Sequence, residues 1–364
     1  MKVKELVSEL ERFAPSSLQE SYDNAGLNVG FPDAEIAGVL ICVDVVPEVV
    51  DEAISKGCNM IVSHHPLIFP SIKRITGGNN VEKSIIKALQ NNISIYCGHT
   101  NFDKAQNGVS MKMCEKLGLK NCTVIDGEKH LLRKIAVFVP KSHAETVRNA
   151  MFSAGAGTIG DYDECSFNVN GVGTFRAGEN CNPFVGGIGE RHSEDEIRIE
   201  VICPDYLQSR VVTEMLKVHP YEEPAFDVYQ IENQWNSVGL GAVGELESEI
   251  TEDELLETVK RTFNVGNIRH SARTGRKICR IAVCGGSGAS YIRTAIAMKA
   301  DAYITADIKY HDWFLAEGKI LLLDIGHYES EQFTKEIFYD VIVKKSINFA
   351  TYFSDINTNP INNY

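Results

Sequence analysis

The 364-residue sequence has no run of apolar residues approaching the roughly 18 that a membrane-spanning helix needs. Its first residues, MKVKELVSELERF, place Val3, Leu6, Val7, Leu10 and Phe13 at helical spacing with acidic residues between them. This pattern predicts an amphipathic helix and not a signal peptide. We therefore expect no membrane partner and a cytoplasmic protein.

The sequence also lacks a CxxC pair, although it has ten cysteines. Several of them lie in apolar segments, such as Cys42 in LICV and Cys97 in IYCG. Buried cysteines of this kind behave as small apolar side chains. We expect reduced, mostly buried thiols, and neither a disulfide framework nor a cysteine-ligated metal.

Positive charge is scarce, since 36 Lys and Arg against 49 Asp and Glu give a net charge of −13. Binding to nucleic-acid phosphates requires a basic surface. The longest basic clusters here are short, namely Lys73-Arg74 and the segment 273–280. We therefore do not expect a nucleic-acid partner.

Apolar runs with little alternation occur at 37–46 (AGVLICVDVV) and 58–65 (CNMIVSHH), with the predicted helix PEVVDEAISKG between them. The helix VEKSIIKALQNN and the strand ISIYCGHT repeat the pattern. Strands buried on both faces of a sheet have this composition. The sequence predicts an α/β fold, with mixed or parallel sheets flanked by helices, over residues 1–130 and again over 233–364.

The pattern changes between these two segments. A strand (KIAVFVP), a helix (SHAETVRNAMFSAG) and a Gly-rich stretch to about residue 190 are followed by a strand (EIRIEVICP), a helix (YLQSRVVTEMLKV) and a strand (FDVYQIEN). We expect short polar strands in the Gly-rich stretch, which completes the ferredoxin-like order of elements. Residues 131–232 are therefore predicted to form a separate α+β domain, inserted into a discontinuous α/β domain.

Three predicted strands are each followed by residues of the types that bind metals: His64 and His65; His99 and Asp103; Asp324, His327 and Glu331. Ligands of open α/β sheets bind at the carboxyl ends of the strands, so we expect these side chains to meet in space. His327 and Glu331 are four residues apart, a spacing that places both on one face of a helix.

Imidazole and carboxylate ligands suit Zn, Fe, Mn or Ni better than Ca or Mg. Three histidines and two carboxylates exceed the ligands of one tetrahedral ion. We therefore predict two divalent ions per chain, held about 3.5 to 4 Å apart by a bridging carboxylate, as in two-metal hydrolases. The ligand types do not select one metal among the four.

Three further residues are candidates for catalysis. His99 could transfer protons beside the metals, or it could bond a backbone carbonyl. Tyr310 and His311 follow another predicted strand and would face the substrate or cap the next helix. The string CGGSG lacks the ending of a phosphate-binding P-loop, so we interpret it as a tight strand-to-helix turn.

Six strings occur in order along the chain: YDNAGLNVG (22–30), SHHPLIF (63–69), GHTNFD (98–103), CGGSG (284–288), ITADIKYHD (304–312) and DIGHYESE (324–331). In these strings the chain resembles the NIF-three-like dinuclear metal-centre family, often called type 2 GTP cyclohydrolase I. The segment VHPYEEPAFDVY (218–229) resembles the insert of longer members, whose fold is like that of the PII signalling and CutA proteins.

The resemblance implies a ligand set. His65 and Asp103 would bind one ion, and His64 and His327 would bind the other, with Glu331 bridging both. It also implies a homohexameric ring, or toroid, whose metal sites face an internal cavity. The cyclohydrolase name implies a metal-activated water that opens the guanine ring of GTP and releases formate.

These observations lead to two hypotheses about function. The first is a metal-dependent hydrolase that acts on a nucleotide or a phosphorylated small molecule. The alternative is a hexameric regulatory or scaffold protein that binds a small effector through the PII-like insert. Deleting residues 131–232 would spare the activity in the first case and remove the main function in the second.

Overall fold

The computed structural model describes residues 1–345 and 348–362, which form two compact units. The first unit comprises Met1–Gly127 and Asn236–Tyr364, and the second comprises Glu128–Trp235. The second unit is therefore inserted into the sequence of the first.

The elements follow one another in three stretches of sequence. The first contains α1 (Val3–Phe13), β1 (Gly26–Val29), β2 (Gly38–Cys42), α2 (Pro47–Ser55), β3 (Met60–Ser63), α3 (Asn80–Gln90), β4 (Ser94–Cys97), α4 (Thr100–Lys104), α5 (Val109–Leu117) and β5 (Lys120–Glu128). The second contains β6 (Leu132–Pro140), α6 (Ala144–Ser153), β7 (Phe167–Arg176), β8 (Arg191–Pro204), α7 (Gln208–Val218) and β9 (Phe226–Ile231). The third contains β10 (Trp235–Ile250), α8 (Glu252–Thr262), β11 (Arg269–His270), β12 (Ile278–Ser287), α9 (Ile292–Ala297), β13 (Ala302–Ala306), β14 (Leu321–Asp324), α10 (His327–Glu331), α11 (Thr334–Val343) and β15 (Ala350–Phe353).

The first sheet of the larger unit has the strand order β1-β4-β3-β2-β15. Strands β4, β3, β2 and β15 are parallel, whereas β1 is antiparallel to β4. Every residue of β2, β3 and β4 is buried, which explains why their sequences are mostly apolar. The edge strand β1 has half-buried residues at its centre, and no apolar run marked it in the sequence.

The second sheet of this unit has the order β11-β14-β13-β12-β10-β5. Its centre is parallel, since β12 pairs with β13 and β13 with β14 in that sense. Strand β10 is antiparallel to β12, and β11 is antiparallel to β14. The prediction of mixed sheets flanked by helices is confirmed. The residues predicted to bind metals follow strands of both sheets, not of one.

The inserted unit has the strand order β7-β8-β6-β9, with every neighbouring pair antiparallel. Side chains of α6 and α7 pack against one face of this sheet. The predicted ferredoxin-like fold is confirmed. The prediction of short polar strands in the Gly-rich stretch was wrong, because β7 and β8 form one long hairpin from Phe167↔Glu200 to Arg176↔Arg191.

None of the helices in residues 1–345 and 348–362 is long and apolar enough to cross a membrane. All ten cysteines lie within the described residues, and none of them forms a disulfide.

Candidate metal centre

His64 and His65 follow the last residue of β3, and their backbone N–H groups both donate to the carbonyl of Val43. His64 is fully buried, and its Nδ1 lies 2.9 Å from the carbonyl oxygen of Gly98. A carbonyl oxygen can only accept, so Nδ1 carries the hydrogen. Nε2 of His64 is therefore the atom that remains to bind a proton or a metal ion.

Carboxylates hold the other two imidazoles of the cluster in the same way, each at its Nδ1 atom. Nδ1 of His65 lies 2.7 Å from Oδ1 of Asp44, and Nδ1 of His327 lies 2.7 Å from Oδ2 of Asp307. Histidines that bind metals almost always donate their second ring nitrogen to a carboxylate or a carbonyl. In each of the three histidines, a hydrogen bond at Nδ1 thus fixes the ring and leaves Nε2 facing the cluster.

The three Nε2 atoms converge on one oxygen, Oε2 of Glu331. The distances are 3.5 Å from His64, 3.0 Å from His65 and 3.1 Å from His327. His327 and Glu331 are the first and last residues of α10, so the predicted spacing of four does place them on one helix face. Yet Oε2 has no hydrogen bond of normal geometry to any described residue.

Asp103, on α4, completes the cluster, with its Oδ1 3.7 Å from Nε2 of His64. Nε2 of His64, Oδ1 of Asp103 and Oε2 of Glu331 are all buried and make no hydrogen bond within the described residues. An unpaired buried polar atom costs about 1 to 3 kcal/mol. A cation among these atoms would remove that cost, so the residues fit a divalent metal ion.

The pKa values of the clustered residues also favour a bound cation. Burial alone would lower the pKa of His65, but the Asp44 and Glu331 carboxylates outweigh it and raise the pKa to about 10. Burial would also lower the pKa of His327, but Glu331 and Asp307 outweigh it and raise the pKa to about 9. Burial would also raise the pKa of Glu331, but the neighbouring histidines hold it well below its usual range. The cluster therefore attracts positive charge.

A cavity of about 410 Å³ opens beside the cluster. Besides His65, Asp103, His327 and Glu331, its lining includes His99 and the exposed rings of Tyr22 and Phe69. Nδ1 of His99 lies 2.7 Å from Oδ1 of Asp23. Burial would raise the pKa of Asp23, but hydrogen bonds from His99 and Thr100 outweigh it and lower the pKa to about 2. Asp23 therefore stays ionised and orients His99.

Other residues that the sequence singled out lie elsewhere. Tyr310 and His311 are exposed, are not part of the cavity lining, and contact each other with ring centroids 5.2 Å apart. Their predicted catalytic role stays a prediction. Asp324 pairs with Arg269 and accepts from the backbone N–H of Ile308, so it supports the fold.

The CGGSG string forms the end of β12 and a turn, and its N–H groups are used within the protein. Gly286 donates to Ser330 Oγ and Gly288 to Thr305 Oγ1. This agrees with the interpretation as a tight turn.

The sequence did not single out three acidic residues that orient the histidines, namely Asp23, Asp44 and Asp307. Two of them had a usable signal, because Asp44 and Asp307 follow the apolar strands β2 and β13 at the same edge as the metal-type residues. Asp23 precedes β1 and had only its place in the YDNAG string.

The fold and this cluster define an α/β protein with a candidate centre for divalent metal ions. The sequence profile of the Duf34/NIF3 (NGG1p interacting factor 3) family matches residues 1–360. The chain belongs to this family, and the resemblance inferred from the motifs is confirmed.

Similar proteins cover almost the whole chain. A Halalkalibacterium halodurans protein named GTP cyclohydrolase 1 type 2 homolog is 36% identical over 356 residues, which are 96% of this chain and 95% of that protein. A Bacillus subtilis protein of the same name is 36% identical over 338 residues, 92% of this chain and 90% of its own. A crystal structure of a Bacillus cereus protein related to NIF3 aligns with a TM-score of 0.88 and 36% identity, covering 100% of this chain and 99% of that one.

Proposed function

We propose that the chain is a metal-dependent hydrolase whose five clustered residues hold two divalent metal ions. The observation that carries the proposal is the convergence of His64, His65 and His327 on one oxygen of Glu331, with atoms that lack hydrogen-bond partners. Five donors of this kind exceed the need of one tetrahedral ion. Zn, Fe, Mn and Ni all accept this donor set.

Bound divalent ions would make hydroxide available near neutral pH and polarise the bond to be cut. The protein residues supply the rest. Asp44 and Asp307 fix the ring orientation of His65 and His327. Asp23 holds Nδ1 of His99 and leaves Nε2 of this histidine to accept or donate a proton at the cavity wall.

Two aromatic rings of the cavity support a substrate with a planar group. Tyr22 and Phe69 form an edge-to-face pair with centroids 6.3 Å apart, and their exposed fractions are 65% and 48%. Exposed rings of this kind stack on planar groups such as nucleobases. We therefore propose a nucleotide or a phosphorylated small molecule as the substrate class, in keeping with the cyclohydrolase name of the relatives.

Two further expectations stay predictions. The first is the pairing of His65 with Asp103 on one ion and His64 with His327 on the other. All three imidazoles lie within 3.5 Å of the same Glu331 oxygen, so the distances do not select this pairing. The second is the homohexameric ring, which light scattering of the purified protein would test.

The test of the proposal is a hydrolysis screen with metal-loaded protein against nucleotides and phosphate esters. Glu331→Ala should abolish any activity found, and His99→Gln should lower it about 100-fold while the metal content stays unchanged. His130→Gln is the matched control, because this histidine lies in the inserted unit and is 53% exposed. Activity that survives in metal-free Glu331→Ala protein would overturn the proposal.

A further inference from the structure

The inserted unit has a cavity of its own, with a volume of about 850 Å³. It lies on the sheet face opposite to α6 and α7. Ile197, Ile199 and Val201 of β8 point towards these helices. Successive side chains of a strand point to opposite faces, so Glu196 lies on the cavity side. The segment Ala177–Phe184 and residues Tyr221–Ala225 complete the walls.

Glu196 is the buried charged group of this cavity. Only 8% of its surface is exposed, and the carboxylate accepts one hydrogen bond, 2.8 Å long, from the hydroxyl of Tyr221. The neighbouring Arg198 pairs with Glu200 at 2.9 Å and forms no ion pair with Glu196. A buried carboxylate with one neutral donor and no cationic partner among the described residues is costly unless a ligand supplies the charge.

The sheet is shaped to accept this carboxylate. A Cβ added to Gly173 would lie 2.2 Å from Oε2 of Glu196, so only glycine at this position lets the carboxylate rest against β7. Glu222 and Glu223 also line the cavity, against Arg176 and the paired Arg198. The lining therefore has an excess of negative charge.

Aromatic rings line the same cavity as this carboxylate. The ring of Tyr221 lies 6.0 Å from that of Phe175 and 6.3 Å from that of Phe184, between centroids. Phe138 lines the cavity as well. Aromatic rings grouped around a negative charge are the usual environment of bound organic cations, because the face of each ring attracts positive charge.

The HPYEEP segment builds one wall of the cavity. Nδ1 of His219 accepts a hydrogen bond from the backbone N–H of Tyr221, so its Nε2 carries the hydrogen and donates to the carbonyl of Phe138. Glu222 accepts from the backbone N–H of Asn182 and so ties this segment to the wall formed by Ala177–Phe184. The two bonds of His219 fix Tyr221 in the position from which it contacts Glu196.

We propose that this cavity binds a small organic ammonium ion, with its charge at Glu196 and its apolar groups against Tyr221, Phe175 and Phe184. The cavity has the size and the mixture of apolar walls with a few polar groups that are typical of small-molecule sites. The site lies wholly within residues 128–235 and does not depend on the proposal for the metal centre.

Calorimetric titration of the intact, metal-loaded protein tests the proposal. The probes are choline and 2-phenylethylammonium, each paired with a neutral molecule of the same shape, 3,3-dimethylbutan-1-ol and 2-phenylethanol. At least one cation should bind at least about tenfold more tightly than its neutral counterpart. Equal affinity for the cation and its counterpart, or no heat from either cation, would overturn the proposal.

Variants locate the binding. Glu196→Gln should weaken binding of the cation about tenfold or more, because it keeps the shape and removes the charge. Glu214→Gln makes the same change in charge on α7, outside the cavity lining, and should bind as wild type. Phe184→Ala removes a half-exposed ring without disturbing the core, and should also weaken binding if Glu196→Gln does not fold. Unchanged affinity in a folded Glu196→Gln, or in Phe184→Ala, would contradict the assignment.

Discussion

Gly286 faces the carboxylate of Glu331 so closely that a Cβ built on this glycine would lie 2.3 Å from Oε1. The glycine also has φ +62°, in the left-handed region. The position of the central carboxylate therefore depends on a residue of β12 as well as on α10.

Gly286→Ala should displace Glu331 and empty most of the metal centre. Gly275→Ala is the matched control, because Gly275 has φ +70° and nothing lies within 4 Å of the place that its methyl group would take. Both changes cost about 1 kcal/mol of left-handed strain, and only the first adds the clash. Elemental analysis of both purified variants would decide, and equal metal content would show that Glu331 tolerates the methyl group.

Glu331→Ala should lower the metal content from about two ions per chain to near zero, because its carboxylate lies against all three histidines. His64→Ala should chiefly remove one ion. Glu329→Ala, on the same helix, should keep both, since Glu329 accepts a hydrogen bond from Asn359 and is absent from the cluster. If His64→Ala retained both ions, the ligand assignment would be wrong.

Metal binding should become tighter as pH rises from 7 towards 9. The pKa values of about 10 for His65 and about 9 for His327 mean that both rings are protonated at pH 7 without metal. A metal ligand must be unprotonated, so binding at pH 7 should release at least about two protons. Titrations in buffers with different ionisation enthalpies measure this number, and a release near zero would exclude these rings as ligands.

Asp23→Asn should destabilise the protein by about 2 kcal/mol at pH 7. The pKa of Asp23 is lowered to about 2 in the folded state, so its contribution is present above the unfolded pKa near 4. It is lost as pH falls from about 4 to 2. Urea unfolding at several pH values should therefore show the two proteins converging in acid.

The matched control for this change is Asp33→Asn. Asp33 is 73% exposed and pairs with Lys4 at the surface, so its replacement should have no measurable effect. A constant difference between wild type and Asp23→Asn from pH 7 to pH 2 would contradict the assigned pKa.

The sequence was sufficient to predict both the α/β fold and the meeting of His64, His65, Asp103, His327 and Glu331, because buried parallel strands and strand-end ligands leave a clear pattern. It was not sufficient for the path of the chain after β13. Asp307 there has φ +54°, a left-handed turn that places its own carboxylate at His327. Tyr310 and His311 lie beyond this turn and outside the cavity lining.

The sequence pattern also did not predict the long hairpin of β7 and β8. Its outer residues are exposed on both faces, so no buried face marks it in the sequence. The pairing of Glu196 with Tyr221 joins residues from β8 and from the HPYEEP segment, and neither residue alone indicated a cavity.

The insertion of residues 128–235 divides the candidate ligands by their time of synthesis. A ribosome makes His64, His65 and Asp103 before the inserted unit and His327 and Glu331 after it. Domains fold as units while the chain is being made. A nascent chain thus carries an incomplete set of donors throughout translation of the insert, and tight binding of a metal ion would require the finished protein.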